Sequence, residues 1–287
     1  MTYPTYQPSD ELPRLPSRDA EAHKGSFGSA LIVGGSRGMV GAVALAGMAA
    51  LRGGAGLVRL AVPEVCQDTA AGFEPSYMTS ALPADDDGRI AAAARQPITE
   101  LCESATAVAC GPGMGRSDEL NELVGRLYQN IAKPMIVDAD ALNALAARPE
   151  LLRKHAGPRI LTPHPGEFAR LVGAETVPTD QRRAMAMELA GRSDAVVVLK
   201  GHRTVVTDGD STWINTTGNP GMATGGSGDV LTGLITALVC QGLAPADAAR
   251  LGVHLHGLAG DLAAAELGQV SLIASDLIRF LPQAIES

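Results

Sequence analysis

Short β-branched runs that alternate with amphipathic helical stretches constrain this chain more than any other feature. Strands are expected at 30–33, 57–62, 106–110, 135–138, 159–162, 195–200, 204–207 and 212–215, and helices near 41–52, 88–104, 117–130, 141–155, 166–172 and 179–191. Such alternation needs crossover connections, and these give a mostly parallel sheet covered by helices on both faces. The three runs between 195 and 215 leave no room for helices, and Asp208-Gly209 signals a hairpin, so an antiparallel meander is expected at one edge. Beyond it only helices are expected. The clearest starts near Gly228, where Val230, Leu234 and Leu238 run beside Leu231, Ile235 and Val239 at a spacing of four. The expectation is one three-layer α/β/α domain over 21–287, preceded by an extended, proline-bearing lead-in at 1–20. Ligands of such sheets bind beyond the carboxyl ends of the strands, where the glycine-rich turns of this sequence fall.

Composition narrows the partners. With 23 Lys+Arg against 31 Asp+Glu and only 3% aromatics, the chain lacks both the positive charge and the stacking platforms of a nucleic-acid binder. The uncharged run at 39–51 is too short for a membrane span, and the run at 230–246 is interrupted by Thr232, Thr236, Gln241 and Pro245. The polar, proline-rich N-terminus does not read as a secretory signal. Cys66, Cys102, Cys110 and Cys240 form no C-x-x-C pattern and read as reduced core thiols, as expected of a cytoplasmic protein.

The strongest chemical signal is Gly218-Asn219-Pro220-Gly221-Met222-Ala223-Thr224-Gly225-Gly226-Ser227-Gly228-Asp229. Bare backbone amides at the start of a helix, with the helix dipole behind them, make an anion site. Asp229 there either caps the helix or takes a proton from a hydroxyl that attacks phosphorus, the task that would justify a carboxylate beside an anion cradle. No Gly-Lys dipeptide occurs, which excludes a Walker A loop.

Other clusters leave two readings open. Gly34-Gly35-Ser36-Arg37-Gly38 with Gly41-Ala42 lacks the dinucleotide-binding order, and is either a tight strand-to-helix turn or a wall of backbone amides for a small molecule. Gly111-Pro112-Gly113-Met114-Gly115 is a rigid turn whose backbone can lie against a ligand. Asp138 and Asp140 stand at a strand end, placed for a metal or hydroxyl contact or for a helix cap. His164 and Glu167 follow the next strand as turn chemistry or a site. Lys200-Gly201-His202-Arg203-Thr204 ends an apolar strand with a cation suited to phosphate. His254 and His256 cannot share one helical face, so they do not make a zinc site.

Taken in order, these motifs resemble the ribokinase-like superfamily and, within it, the ADP-dependent NAD(P)H-hydrate dehydratase family, over residues 24–281. The resemblance implies a ribokinase-like α/β/α domain that restores hydrated, redox-dead NADHX and NADPHX to NADH and NADPH, turning ADP into AMP and phosphate with Mg2+. Ala42, Gly113, Gly115, His164 and Asp229 would then meet the hydrate, with Asp229 catalytic. Lys200, Gly201, His202, Arg203 and Thr204, together with Gly225, Gly226, Ser227 and Gly228, would hold the nucleotide, and Glu167 would hold magnesium. The sugar-kinase relatives carry Asn where His164 stands, although the spacing to Glu167 is kept. The resemblance also implies a homo-oligomer, a tetramer, that acts on the S epimer and depends on a separate epimerase for the R form, since a chain of this length leaves no room for an epimerase domain. The rivals are a hydroxymethylpyrimidine or thiazole kinase of the same fold and a non-catalytic nucleotide sensor.

Overall fold

The computed structural model describes residues 12–287. Part of the expected lead-in therefore lies outside the described residues. Residues 12–19 form no helix or strand, but Arg18 is anchored, donating to the Gly54 carbonyl at 2.9 Å and stacking over the Phe27 ring at 3.9 Å.

Among the described residues nine strands make one sheet: β1 (Ser29–Val33), β2 (Leu57–Pro63), β3 (Met78–Leu82), β4 (Ala107–Cys110), β5 (Met135–Val137), β6 (Arg159–Leu161), β7 (Val196–Leu199), β8 (Val205–Thr207) and β9 (Thr212–Ile214). Their spatial order is β3-β2-β1-β4-β5-β6-β7-β8-β9. β1 to β7 pair in parallel, and β8 and β9 close the edge antiparallel, so the expected meander is present. β3 is the strand that the hydrophobic pattern misses. Its Thr79 and Ser80 are only half-buried at the sheet's edge, where burial imposes no apolar run.

Ten α-helices among the described residues cover the sheet: α1 (Val40–Arg52), α2 (Gln67–Ala71), α3 (Arg95–Glu103), α4 (Asp118–Asn130), α5 (Ala139–Ala146), α6 (Pro165–Val172), α7 (Arg182–Ser193), α8 (Ser227–Cys240), α9 (Pro245–Leu267) and α10 (Ala274–Glu286). Two expected helices are shorter than their patterns suggest. The one placed at 88–104 begins with a 3-10 turn and becomes α-helical at Arg95, and the one placed at 141–155 stops before Pro149, which cannot continue it.

Period-two alternation divides the core. Ala30 and Ile32 face a cluster with Val43 and Ala46 of α1, Leu234 of α8, Ala248 of α9 and Leu277 of α10. Leu31 and Val33 face the opposite cluster, with Ile98 of α3, Leu123 of α4, Leu142 of α5 and Leu189 of α7. Because both faces are covered, the central strands read as unbroken apolar runs. The small-residue helix α1 packs against α8 so closely that a Cβ on Gly233 would lie 1.9 Å from the Ala46 carbonyl oxygen. All four cysteines are buried free thiols, and among the described residues no helix is long and apolar enough to cross a membrane.

The strand order reverses between β1 and β4, where the connections leave in opposite directions and open a crevice at the carboxyl ends. The turns after β1, β4, β5, β6 and β7 end at this rim, and the start of α8 reaches the same place.

Candidate active site

One half of the rim is built from backbone. Gly35 N–H donates to the Pro112 carbonyl at 2.7 Å, and the buried Ser36 hydroxyl donates to the Gly113 carbonyl at 2.8 Å, stitching the turn after β1 to the turn after β4. Gly113 has φ +62, and a Cβ there would meet the Met39 carbonyl oxygen at 2.4 Å and the Ala42 Cβ at 3.0 Å. Only glycine fits this contact. Ala42, Gly113 and Gly115, nominated separately by sequence, thus converge on one wall. Gly115 N–H donates to Asp140 Oδ2 at 2.9 Å, and Asp140 Oδ1 lies 3.3 Å from the Arg116 guanidinium. Asp140 therefore orders the rim.

The other half gathers charge. Asp138 is 1% exposed. Its Oδ1 accepts from the Thr162 hydroxyl at 2.8 Å and from Lys200 Nζ at 2.7 Å, and its Oδ2 accepts from the Thr232 hydroxyl at 2.8 Å. Although it occupies the N-cap position of α5, its side chain makes no cap bond. Lys200 Nζ also lies 4.0 Å from Glu167 Oε2. Burial lowers its proton affinity, but Asp138 first and Glu167 next outweigh this and hold the ammonium above its ordinary pKa.

Asp229 stands in the first turn of α8, whose N-cap is Gly226 at φ +91 with no side-chain cap bond. Asp229 makes no capping-box bond back to Gly226, although a carboxylate in the first turn still suits the helix dipole. Burial first and the Asp138 carboxylate next push its pKa up to about 7, against the pull of Lys200, with Asp140 and Glu167 adding to the rise. A carboxylate so raised is poised at neutrality, where a general base is most effective. Beside it, the N–H groups of Gly225, Gly226 and Gly228 find no acceptor among the described residues, as expected at the open start of a helix. The loop is tied down from α9. Asp261 accepts from Gly218 N–H at 2.8 Å and from the Asn219 side-chain amide at 3.0 Å. His256 Nε2 lies 2.9 Å from the Ser227 carbonyl oxygen, and burial holds that ring neutral by lowering its pKa to about 4.

The segment 200–204 is divided by the fold. The Lys200 ammonium reaches the first turn of α8, 3.1 Å from where a Cβ on Gly228 would sit, so these two nominated residues meet. Gly201, His202 and Arg203 instead form an exposed turn, which Thr204 closes by donating to the Gly201 carbonyl at 2.9 Å. Arg182 of α7 pins that turn by donating to the carbonyls of Lys200 at 2.8 Å and His202 at 3.1 Å.

His164 and Glu167 form a reciprocal cap on α6. His164 Nδ1 accepts from the Gly166 and Glu167 amides, while Glu167 Oε2 accepts from His164 N–H at 2.8 Å. This pattern leaves the proton on Nε2, which faces Glu167 Oε1 at 3.2 Å. Burial, then the cations Lys200 and Arg170, keep the imidazole neutral. Its lone pair is committed to the cap, so toward a ligand this ring is a donor. Burial also raises the Glu167 pKa, with Lys200 opposing. Among the described residues no three His, Cys, Asp or Glu side chains gather around a common metal position.

Thr232, Asp261 and Arg182 are the residues that pattern reasoning passes over. Thr232 carried a signal, a hydroxyl three residues after Asp229 in a largely apolar helix. Asp261 and Arg182 carried none, because their partners, the Gly218 amide and Asn219 side chain for the one and the Lys200 and His202 carbonyls for the other, are distant in sequence.

The doubly wound sheet, here with a glycine-rich loop of open amides, a carboxylate at the start of the following helix and a half-buried lysine beneath it, is of the ribokinase-like class. A ribokinase-like superfamily protein from Enterococcus faecalis superposes with a TM-score of 0.80 at 25% identity, over 95% of this chain and 91% of that one. Within the class, the family model of NAD(P)H-hydrate dehydratase matches residues 30–283, and the chain belongs to that family. It is 46% identical over 276 residues to a bifunctional NAD(P)H-hydrate repair enzyme of Moorella thermoacetica, covering 96% of this chain and 52% of that protein. The chain spans about half the length of the curated relatives it matches. An ADP/ATP-dependent NAD(P)H-hydrate dehydratase from Bacillus subtilis, co-crystallised with ATP and Mg2+, is 34% identical with a TM-score of 0.80, over 95% of this chain and 94% of that one.

Proposed function

We propose that this protein dehydrates the S epimer of NADHX and NADPHX to NADH and NADPH, consuming ADP and releasing AMP and phosphate. The observation that carries this reading is Asp229, poised near neutrality beside open loop amides and the Lys200 ammonium. Asp229 takes the proton of the C6 hydroxyl as its oxygen attacks the β-phosphorus and the bond to the AMP oxygen breaks. The amides of Gly225, Gly226 and Gly228 and the Lys200 ammonium stabilise the transferring phosphoryl charge. The ring nitrogen's electron pair then expels phosphate, and loss of the C5 proton restores the dihydronicotinamide.

Ala42, Gly113 and Gly115 form the hydrate wall, with the His164 Nε2–H as a donor at its edge. The exposed turn of Gly201, His202, Arg203 and Thr204 would meet the nucleotide's outer part, with Ser227 flanking the phosphates. Glu167 suits magnesium held chiefly through phosphate oxygens, since that ion commonly takes only one or two carboxylates. Bound there, it would neutralise charge between the phosphoryl groups. We place the enzyme in the cytoplasm as a homo-oligomer, in keeping with its buried thiols and with the family resemblance.

The test is incubation of (S)-NADHX with ADP, or with ATP, and Mg2+. The expected result is stoichiometric phosphate, AMP and NADH, with ADP the better donor. A lasting phosphorylated organic product in 31P NMR, without recovery of reduced nicotinamide, would leave the kinase reading standing.

A further inference from the structure

The most expensive feature of the site is one the phosphoryl-transfer step does not itself use. Asp138 is a fully buried carboxylate that forgoes its helix cap and spends both oxygens on three side-chain donors, from the end of β6, the end of β7 and the middle of α8. Two of those donors, Thr162 and Thr232, are buried and short, and fix the carboxylate in place. The third is a flexible lysine, whose freedom is costly to restrain.

We propose that Asp138, clamped by Thr162 and Thr232, is a positioning residue that hangs the Lys200 ammonium beneath the first turn of α8, where it serves the transferring phosphoryl group and Asp229 rather than nucleotide affinity. The distances carry this. Lys200 Nζ is 2.7 Å from Asp138 and 4.0 Å from Glu167, and a Cβ on Gly228 would lie 3.1 Å from it. An ammonium so held sits between the loop amides and the carboxylates, apart from the exposed turn 201–203. The charged groups that face Asp229 are Asp138 before α5, Asp140 on α5, Glu167 on α6 and Lys200 after β7. Asp138 and Lys200 act on it with opposite sign, although they are bonded to each other. The inference rests on the phosphoryl-transfer reading of the site.

That opposition gives a test which a structural ion pair would not pass. The variants are Asp138→Asn, Lys200→Met, and Thr232→Val against Thr232→Ser. The readouts are ADP affinity by calorimetry, turnover of (S)-NADHX, and the Asp229 carboxyl titration by 13C NMR, assigned by its loss in Asp229→Asn. Asp138→Asn should lower kcat about tenfold or more with ADP affinity within about threefold, and should move the Asp229 midpoint down, because a neighbouring negative charge is gone and Lys200 is freed toward it. Lys200→Met should lower kcat at least as far and move the midpoint up. Thr232→Val, mild enough to fold, should lower kcat several-fold, and Thr232→Ser, which keeps the hydroxyl, should restore most of it. Midpoints moving in the same direction, ADP affinity falling as far as kcat, or Thr232→Val matching Thr232→Ser would each overturn the proposal. Wild-type protein that fails to release NADH overturns the dehydratase reading instead, and the titrations, which need no substrate, still decide the positioning of Lys200.

Discussion

The two halves of the site solve recognition by different physics. Between β1 and β4 the wall is backbone against backbone, with Gly113 and Ala42 so close that shape decides what enters. Between β5, β7 and α8 the wall is charge: Asp138, Glu167 and Asp229 around Lys200, withdrawn from water and balanced against one another. The first half has no slack, because uncharged backbone groups set its closest contacts. The second tolerates small changes of shape, because its closest neighbour is the tip of a lysine, but every change of charge is felt across it. Under the proposed function, shape would select the hydrate at one wall and charge would activate its hydroxyl at the other.

The sharpest cut between the halves is Asp229→Asn, which preserves shape and removes the base. Turnover should fall by at least about a hundredfold while ADP affinity stays close to wild type, as measured by steady-state rates and calorimetry. Loss of ADP binding with a high residual rate would make Asp229 a ligand contact. The same carboxylate sets the pH dependence. With its folded pKa raised to about 7, kcat/KM should fall about tenfold for each unit of pH lowered below that value, and the Asn variant should lose that limb. Linkage has the opposite sense for stability. A raised pKa means that the folded state holds the proton more tightly than the unfolded chain, so this group stabilises below about pH 4, and that contribution is lost as pH rises through about 7. Asp229→Asn should therefore raise Tm at pH 8 relative to wild type, a gain that a purely structural carboxylate would not show.

The shape half should respond to bulk alone. Gly113→Ala places a methyl against the Met39 carbonyl oxygen at a positive φ, and should raise the KM for the hydrate about tenfold and lower Tm, with the pH limb unmoved. Gly228→Ala meets only the far end of one side chain, Lys200 Nζ at 3.1 Å, which a small shift relieves, so the KM for ADP should rise by no more than about threefold. If the two alanines have equal effects, the contrast between a rigid and a yielding wall is lost.

Much of this was legible before folding. Alternating apolar runs define a covered parallel sheet because every central strand is buried on both faces, and β3 escaped because an edge strand with Thr79 and Ser80 need not be apolar. The glycine loop and Asp229 could be read because bare amides and a carboxylate at a helix start are a local matter, written in consecutive residues. Ala42, Gly113 and Gly115 could be named singly, but not as one wall. His164 could be named, but not the commitment of its lone pair to the cap of α6.

What only the tertiary structure decided is how the charges act on one another. Asp138 and Lys200 are 62 positions apart, and Asp138 and Thr232 are 94 apart, yet each pair meets within a hydrogen bond. Local sequence determined which groups could titrate or donate. The pKa of Asp229 depends on how far water is excluded and on which carboxylates and cations lie near it. Both are properties of the packed strand ends, and they exist only once β5, β6, β7 and α8 have been brought to the same rim.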